Sequence, residues 1–171
     1  KKIEDIIIML DMEDTESKEE TDEEIEERAI PNYSDYIVDH NIEHSLYENF
    51  THKRPHGFKL NADYIVEVKT WQDMLLKTCE YLIAVDERKF MNFENDSSMN
   101  GKKKKYFSTN PKEMRSPKKV ADKIFVETNL SSNSIRNLII KLLKEYGFSI
   151  NDFKIYLRAD YTSLNEYKND K

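Results

Sequence analysis

Four consecutive lysines, Lys102 to Lys105, run directly into Tyr106 and Phe107, and a second basic group, Lys112, Arg115, Lys118 and Lys119, follows closely. Their cationic heads offer charge to phosphate oxygens. An apolar, strand-like run, Ile124, Phe125 and Val126, then empties into Thr128, Asn129, Leu130, Ser131 and Ser132. Short amide and hydroxyl side chains of this kind donate to and accept from base edges. The hydroxyl-rich turn also opens a helix whose first N–H groups have no intrahelical partner and can face a phosphate. The chemistry these residues fit is phosphate binding beside base reading, with Lys102, Lys103, Lys104, Lys105, Lys118 and Lys119 on phosphates. Asn129 would read an adenine or its partner, with Thr128 and Ser131 supporting the turn.

Three other groups fit different chemistry. Asp63, Glu67 and Lys69 echo the Asp…Glu-x-Lys arrangement of metal-dependent nucleases, in which two carboxylates hold a divalent cation and the lysine stabilises charge at the scissile phosphate. The alternative reading is a plain solvent-facing strand, because Glu-x-Lys is common in charged proteins. His40, His44, His52 and His56 fall at four-residue spacings that suit metal ligands on a helix face, but Pro55 argues against a helix through the second pair. Surface histidines are the reading adopted, and no metal or other cofactor is expected. Cys79 is the single cysteine, so no disulfide forms within the chain, and its place on an apolar stripe reads as a small buried residue.

The stretch from Gly101 to Phe148 resembles the C-terminal DNA-binding domain of SeqA, the negative modulator of replication initiation. The residues that carry the resemblance are Gly101 with Lys102 and Lys104, the aromatic pair Tyr106 and Phe107, Pro117 with Lys118, Val126 to Asn129, and the helix closing on Gly147 and Phe148. The likeness covers roughly the C-terminal two thirds of the chain. It implies an α+β fold, helices packed with a small antiparallel sheet, that binds double-stranded DNA carrying GATC sites methylated on one strand. It also implies contacts from Lys102, Lys103, Lys104, Thr128, Asn129 and Ser131. Replication control or regulation linked to DNA modification would be the setting, with a nucleoid-associated location, and with no signal peptide or membrane span visible a bacterial or viral cytoplasmic protein is the simplest reading.

The elements that must position these residues are visible in the pattern. Phe58 and Leu60, then Tyr64, Val66 and Val68, alternate on either side of Asn61-Ala62-Asp63, which predicts a β-hairpin over 58–69. Thr70 is a helix cap with Asp73 at the capping-box position, and Trp71, Leu75, Leu76, Cys79, Leu82 and Ile83 recur at helical spacing to about Val85. Phe90, Met91 and Phe93 carry the apolar face into a second short helix. A third helix is predicted from about Ser132 to Tyr146, with Ile135, Leu138, Ile139, Leu142 and Leu143 inward and Arg136, Asn137, Lys141, Lys144 and Glu145 outward, stopped by Gly147. The alternation of Phe153, Ile155 and Leu157 predicts a closing strand.

Charge divides the chain. Residues 1–50 carry 4 Lys or Arg against 17 Asp or Glu, a balance of −13, whereas the rest carries 23 bases and 16 acids, a balance of +7. The net −6 therefore hides a basic domain behind an acidic lead. The expected organisation is an acidic, disordered lead or linker over 1–30, a docking segment over 31–57 bracketed by Pro31 and Pro55, the DNA-binding domain over 58–158, and a frayed tail over 159–171. The apolar run Ile6 to Leu10 is too short to span a membrane, and acids flank it. A start at Lys1 suggests a piece of a longer protein. A homodimer, or a contact between the acidic lead and the basic face, is a further expected association. The rival classes are the nuclease and a protein-interaction module that docks an acidic partner.

Overall fold

The computed structural model describes residues 42–158. His40, the acidic lead, residues 31–41 of the docking segment and the tail lie outside the described residues. In chain order the elements are β1 (His44–Ser45), β2 (Pro55–Leu60), β3 (Tyr64–Glu67), α1 (Trp71–Val85), α2 (Glu87–Met91), β4 (Phe107–Ser108), β5 (Pro117–Val120), β6 (Ile124–Glu127), α3 (Ser132–Glu145) and β7 (Phe153–Leu157). Short 3₁₀ turns lie at Asn92–Asn95, Pro111–Glu113 and Ile150–Asp152. The fold is α+β, as expected, but the strands form two antiparallel sheets instead of one. One has the order β1-β7-β2-β3 and the other β4-β6-β5. Among the described residues no helix is long and apolar enough to cross a membrane.

The larger sheet follows from strict alternation. Phe58 and Leu60 of β2 and Phe153, Ile155 and Leu157 of β7 all point into the core, while the residues between them are less buried. Phe58 and Phe153, on paired strands, stack at 5.0 Å. The closing strand expected over 152–158 is central, because β7 inserts between β1 and β2. At Gly57, where β2 is flanked by β3 and β7, a side chain would meet neighbouring backbone. A Cβ on Gly57 would lie 2.7 Å from the Val66 carbonyl oxygen.

Helix α1 begins where the sequence predicts. The Thr70 hydroxyl accepts the Asp73 N–H at 3.0 Å, and Asp73 Oδ2 accepts the Lys69 N–H at 3.4 Å. Its stripe of Trp71, Met74, Leu75, Cys79 and Leu82 is fully buried, and each large side chain of that set contributes about 1.5–3 kcal/mol by leaving water. Trp71 packs on Phe50 at 4.9 Å, and its indole N–H donates to the Lys53 carbonyl at 2.8 Å. That contact fastens the segment before β2 to the core. Burial pushes the Cys79 thiol well above its ordinary range, in keeping with a core residue.

Helix α3 corrects one expectation. Arg136 and Asn137, assigned outward by periodicity, are 8% and 1% exposed. The residues around 46–51 cover that side of the helix. Arg136 Nη1 donates to the Glu48 carbonyl at 2.6 Å and Nε to Asn137 Oδ1 at 3.0 Å, while Asn133 Oδ1 accepts the Phe50 N–H at 2.8 Å. A helix packed on two sides buries polar positions that a one-sided helix leaves wet. Its end is as predicted. Gly147 sits at φ +73°, its N–H bonds Lys144 O at 3.1 Å, and the Phe148 N–H bonds Leu143 O at 2.9 Å, the paired bonds of a Schellman cap.

Candidate nucleic-acid interface

The smaller sheet gathers the basic residues by topology. β4 and β5 both run antiparallel to β6, with Phe107 opposite Val126 and Pro117 opposite Glu127. The start of β4, the start of β5 and the end of β6 therefore meet at one end of the sheet. The lysine loop enters the first, Arg115 and Ser116 enter the second, and Thr128 and Asn129 leave the third. Tyr106 O accepts the Glu127 N–H at 2.9 Å, and Ser116 O accepts the Thr128 N–H at 3.0 Å, which ties the three chains together.

Two polar side chains that the sequence reading passed over lock this end. Asn100 closes the lysine loop at its base. Its Oδ1 accepts the Tyr106 and Phe107 N–H groups at 3.0 and 3.1 Å, and its Nδ2 donates to Phe93 O and Asp96 O, both at 2.8 Å. Glu127 is 2% exposed, yet its carboxylate accepts three backbone N–H groups, from Arg115 at 2.8 Å and from Ser116 and Asn129 at 2.9 Å. A carboxylate buried in this way is stabilised by the amides that surround it. Neither residue lies on a periodic face, and the one available signal was an Asn or Glu at the junction of a strand and a turn.

A third anchor is Glu94. Its two carboxylate oxygens accept the Thr109 N–H and hydroxyl, each at 3.0 Å, and its backbone carbonyl accepts Lys105 Nζ at 2.6 Å. The aromatic pair sinks the loop into the core, where Phe107 meets Phe90 and Phe93 at 5.4 and 5.5 Å. At the base of the loop, Asp96 accepts from both the hydroxyl and the amide of Ser98, which hold its carboxyl below the usual aspartate range. Lys141 donates to Ser98 O at 2.9 Å, and its burial draws its pKa below the ordinary lysine value.

The expected contact residues thus separate into two groups. Lys102 and Lys103 are exposed and Lys104 is half-buried on the loop, while Lys118 and Lys119 are exposed on β5, with Lys119 Nζ 5.7 Å from the Phe125 ring centre. Asn129 is exposed, and its side-chain amide bonds to no described residue. The others are turned to the fold. Lys105 reaches Glu94 O. Thr128 is 1% exposed, with its hydroxyl donating to Ser116 O at 2.8 Å. Ser131 is the N-cap of α3, where its hydroxyl accepts the Ser134 N–H at 3.2 Å. These three are committed to the fold, whereas Lys102, Lys103, Lys118, Lys119 and Asn129 are exposed. Lys112 and Arg115, on the loop between β4 and β5, are also exposed.

The rival sites lie elsewhere. Asp63 occupies the turn before β3, and Ile65 and Glu67 share its exposed face, with Lys69 beyond the strand end. Among the described residues no three His, Cys, Asp or Glu side chains come together as a metal-binding group. His44 Nδ1 lies 3.0 Å from Glu48 Oε1, His52 is exposed in a turn at φ +61°, and His56 is in β2. Compared with protein-family models, characterised proteins and solved structures, the chain matches none of them.

Proposed function

We propose that the end of the β4-β6-β5 sheet is a double-stranded DNA-binding surface. Lys102, Lys103, Lys104, Lys118 and Lys119 hold phosphates there and Asn129 reads an adenine. The GATC site methylated on one strand, implied by the resemblance to the SeqA C-terminal domain, is the target put forward. The observation that carries this reading is that the exposed lysine loop closed by Asn100 and the exposed Asn129, whose amide bonds to no described residue, lie on strands that meet at the end of the sheet fixed by Glu127.

The chemistry divides in two. Lysine ammonium groups are point charges that position a duplex without reporting its sequence. An asparagine amide matches the N6 and N7 edge of adenine with one donor and one acceptor. A methyl group on that adenine would be sensed by shape and van der Waals contact in the major groove. Such a contact shifts affinity by only a few kcal/mol, so two domains on two sites would sharpen it.

The test is a titration against three otherwise identical duplexes with one GATC site, unmethylated, methylated on one strand or methylated on both, at two salt concentrations. With about four phosphates neutralised, a fourfold rise in salt lowers affinity by about 10²-fold. Preference for the singly methylated duplex, lost in Asn129→Ala, supports the full reading. Equal, salt-sensitive binding to all three removes the methylation claim and keeps DNA binding. No binding at low salt sinks both.

A further inference from the structure

We infer that Arg115 is a second base-reading residue, which pairs with a guanine close to the adenine met by Asn129. The inference rests on the DNA-binding reading above and names a specificity determinant within it. Glu127 holds the backbone of both residues on one carboxylate, the Arg115 N–H on Oε2 at 2.8 Å and the Asn129 N–H on Oε1 at 2.9 Å. Two hydrogen bonds and one carboxylate separate those amide nitrogens by no more than about 8 Å, roughly two base-pair steps. Both side chains are exposed, and neither bonds to a described residue. Fixed backbone with an uncommitted side chain is the arrangement that direct readout needs, because a mobile backbone would have to be ordered on binding.

The residue type matters as much as the place. Arg115 is the one guanidinium at this end of the sheet among the described residues. Arg54 and Arg136 are buried, Arg158 donates to Pro55 O and Lys69 O, and Arg88 lies on α2. The surrounding cations are lysines, which lack the planar fork that engages guanine O6 and N7 together. Arg115 and Asn129 therefore supply the bidentate partners of guanine and adenine side by side, and a GATC site presents those two bases on successive steps.

Selection from a pool of random duplexes tests this with the 171-residue chain, the wild type being compared with Arg115→Lys, Arg115→Ala and Asn129→Ala. The wild type should enrich a site with guanine within about three base pairs of the adenine. Arg115→Lys should keep the salt dependence and the adenine preference while discrimination at the guanine falls about tenfold or more. Asn129→Ala should lose the adenine preference. Circular dichroism melts would show each variant folded, since both side chains are exposed. A guanine preference that survives in Arg115→Lys overturns the inference, as does a wild-type site without guanine. So does a uniform loss in Arg115→Ala that lowers the salt slope by about one with the selected sequence unchanged, the mark of a phosphate contact. Absence of salt-sensitive binding by the wild type is a different failure, that of the DNA-binding reading itself.

Discussion

Asn100 Oδ1 accepts the Tyr106 N–H at 3.0 Å, so a single side chain closes the loop that carries Lys102 to Lys105. The same amide bonds Phe107 N, Phe93 O and Asp96 O, which satisfies its full set of donors and one acceptor twice over. Truncation leaves the part-buried Tyr106 and Phe107 N–H groups to find water, while the Phe93 and Asp96 carbonyls keep the Asp96 and Met99 N–H groups as partners. Asn100→Ala is therefore expected to cost about 2–4 kcal/mol, measured as a lower urea midpoint. Asn100→Asp keeps the acceptor but sets a carboxylate against two carbonyls, and should be no better tolerated. A midpoint unchanged in both would show that the loop is held by its aromatic pair alone.

Glu127 is expected to act on binding through geometry instead of charge. Glu127→Gln retains one acceptor oxygen but turns an NH₂ donor toward a backbone N–H, either that of Arg115 or those of Ser116 and Asn129. The loss should be about 1–3 kcal/mol of stability. Affinity for a duplex should fall while its dependence on salt stays the same, because no phosphate contact has been removed. Removing an acid from a basic surface would, on charge alone, strengthen binding. Tighter binding by Glu127→Gln would thus show that the buried carboxylate does not position the site.

The features legible in the chain were those with a period or a punctuating residue. The stripes of α1 and α3, the Thr70 cap and the Gly147 cap each depend on neighbours within a few residues. Periodicity misplaces Arg136 and Asn137 because Arg136 is drawn to Glu48 O, 88 residues away in sequence, and bonds Asn137 Oδ1 beside it. Strand β5 has no mark in the sequence, since Pro117-Lys118-Lys119 has little strand character and forms one only by pairing with β6. The exposed lysines and Asn129 were visible from residue type, whereas Asn100, Glu94 and Glu127 were not. Their role is to bond backbone groups, and no alternation of polar and apolar residues marks such a partner.

Glu48 and Asp96 are two of the described acids that make stability depend on pH. Burial raises the Glu48 proton affinity, but bonds from the His44 ring and the Ser45 N–H outweigh it, and its pKa lies below the ordinary value. Asp96 is held below its own by Ser98. In both, the folded pKa is depressed, so the unfolded chain binds more protons as pH falls. The stabilisation is present above the unfolded values near pH 4 and is lost as pH drops through the folded ones. The urea midpoint should therefore decline below about pH 4, and Asp96→Asn should flatten part of that decline. An identical acid limb in Asp96→Asn would remove the Ser98 bonds as a source of stability.

The hairpin that presents Lys118 and Lys119 turns on two strained residues. Ala121 and Asp122 have φ of +50° and +54°, and the Lys123 N–H bonds Val120 O at 3.0 Å, which is a type I′ turn. Alanine in that region costs about 1–2 kcal/mol because its Cβ crowds the following carbonyl, whereas Asn followed by Gly suits both positions. Replacing Ala121 with Asn and Asp122 with Gly together should stabilise the domain by about 0.5–1.5 kcal/mol, seen as a rise of about 2–6 °C in Tm. The hairpin register would stay as it is, with Lys119 opposite Phe125. Since the change removes only one acid at the tip, the salt slope of duplex binding should be unaltered while the affinity rises slightly. A double variant that melts lower than the wild type would mean that Ala121 and Asp122 do not adopt this turn.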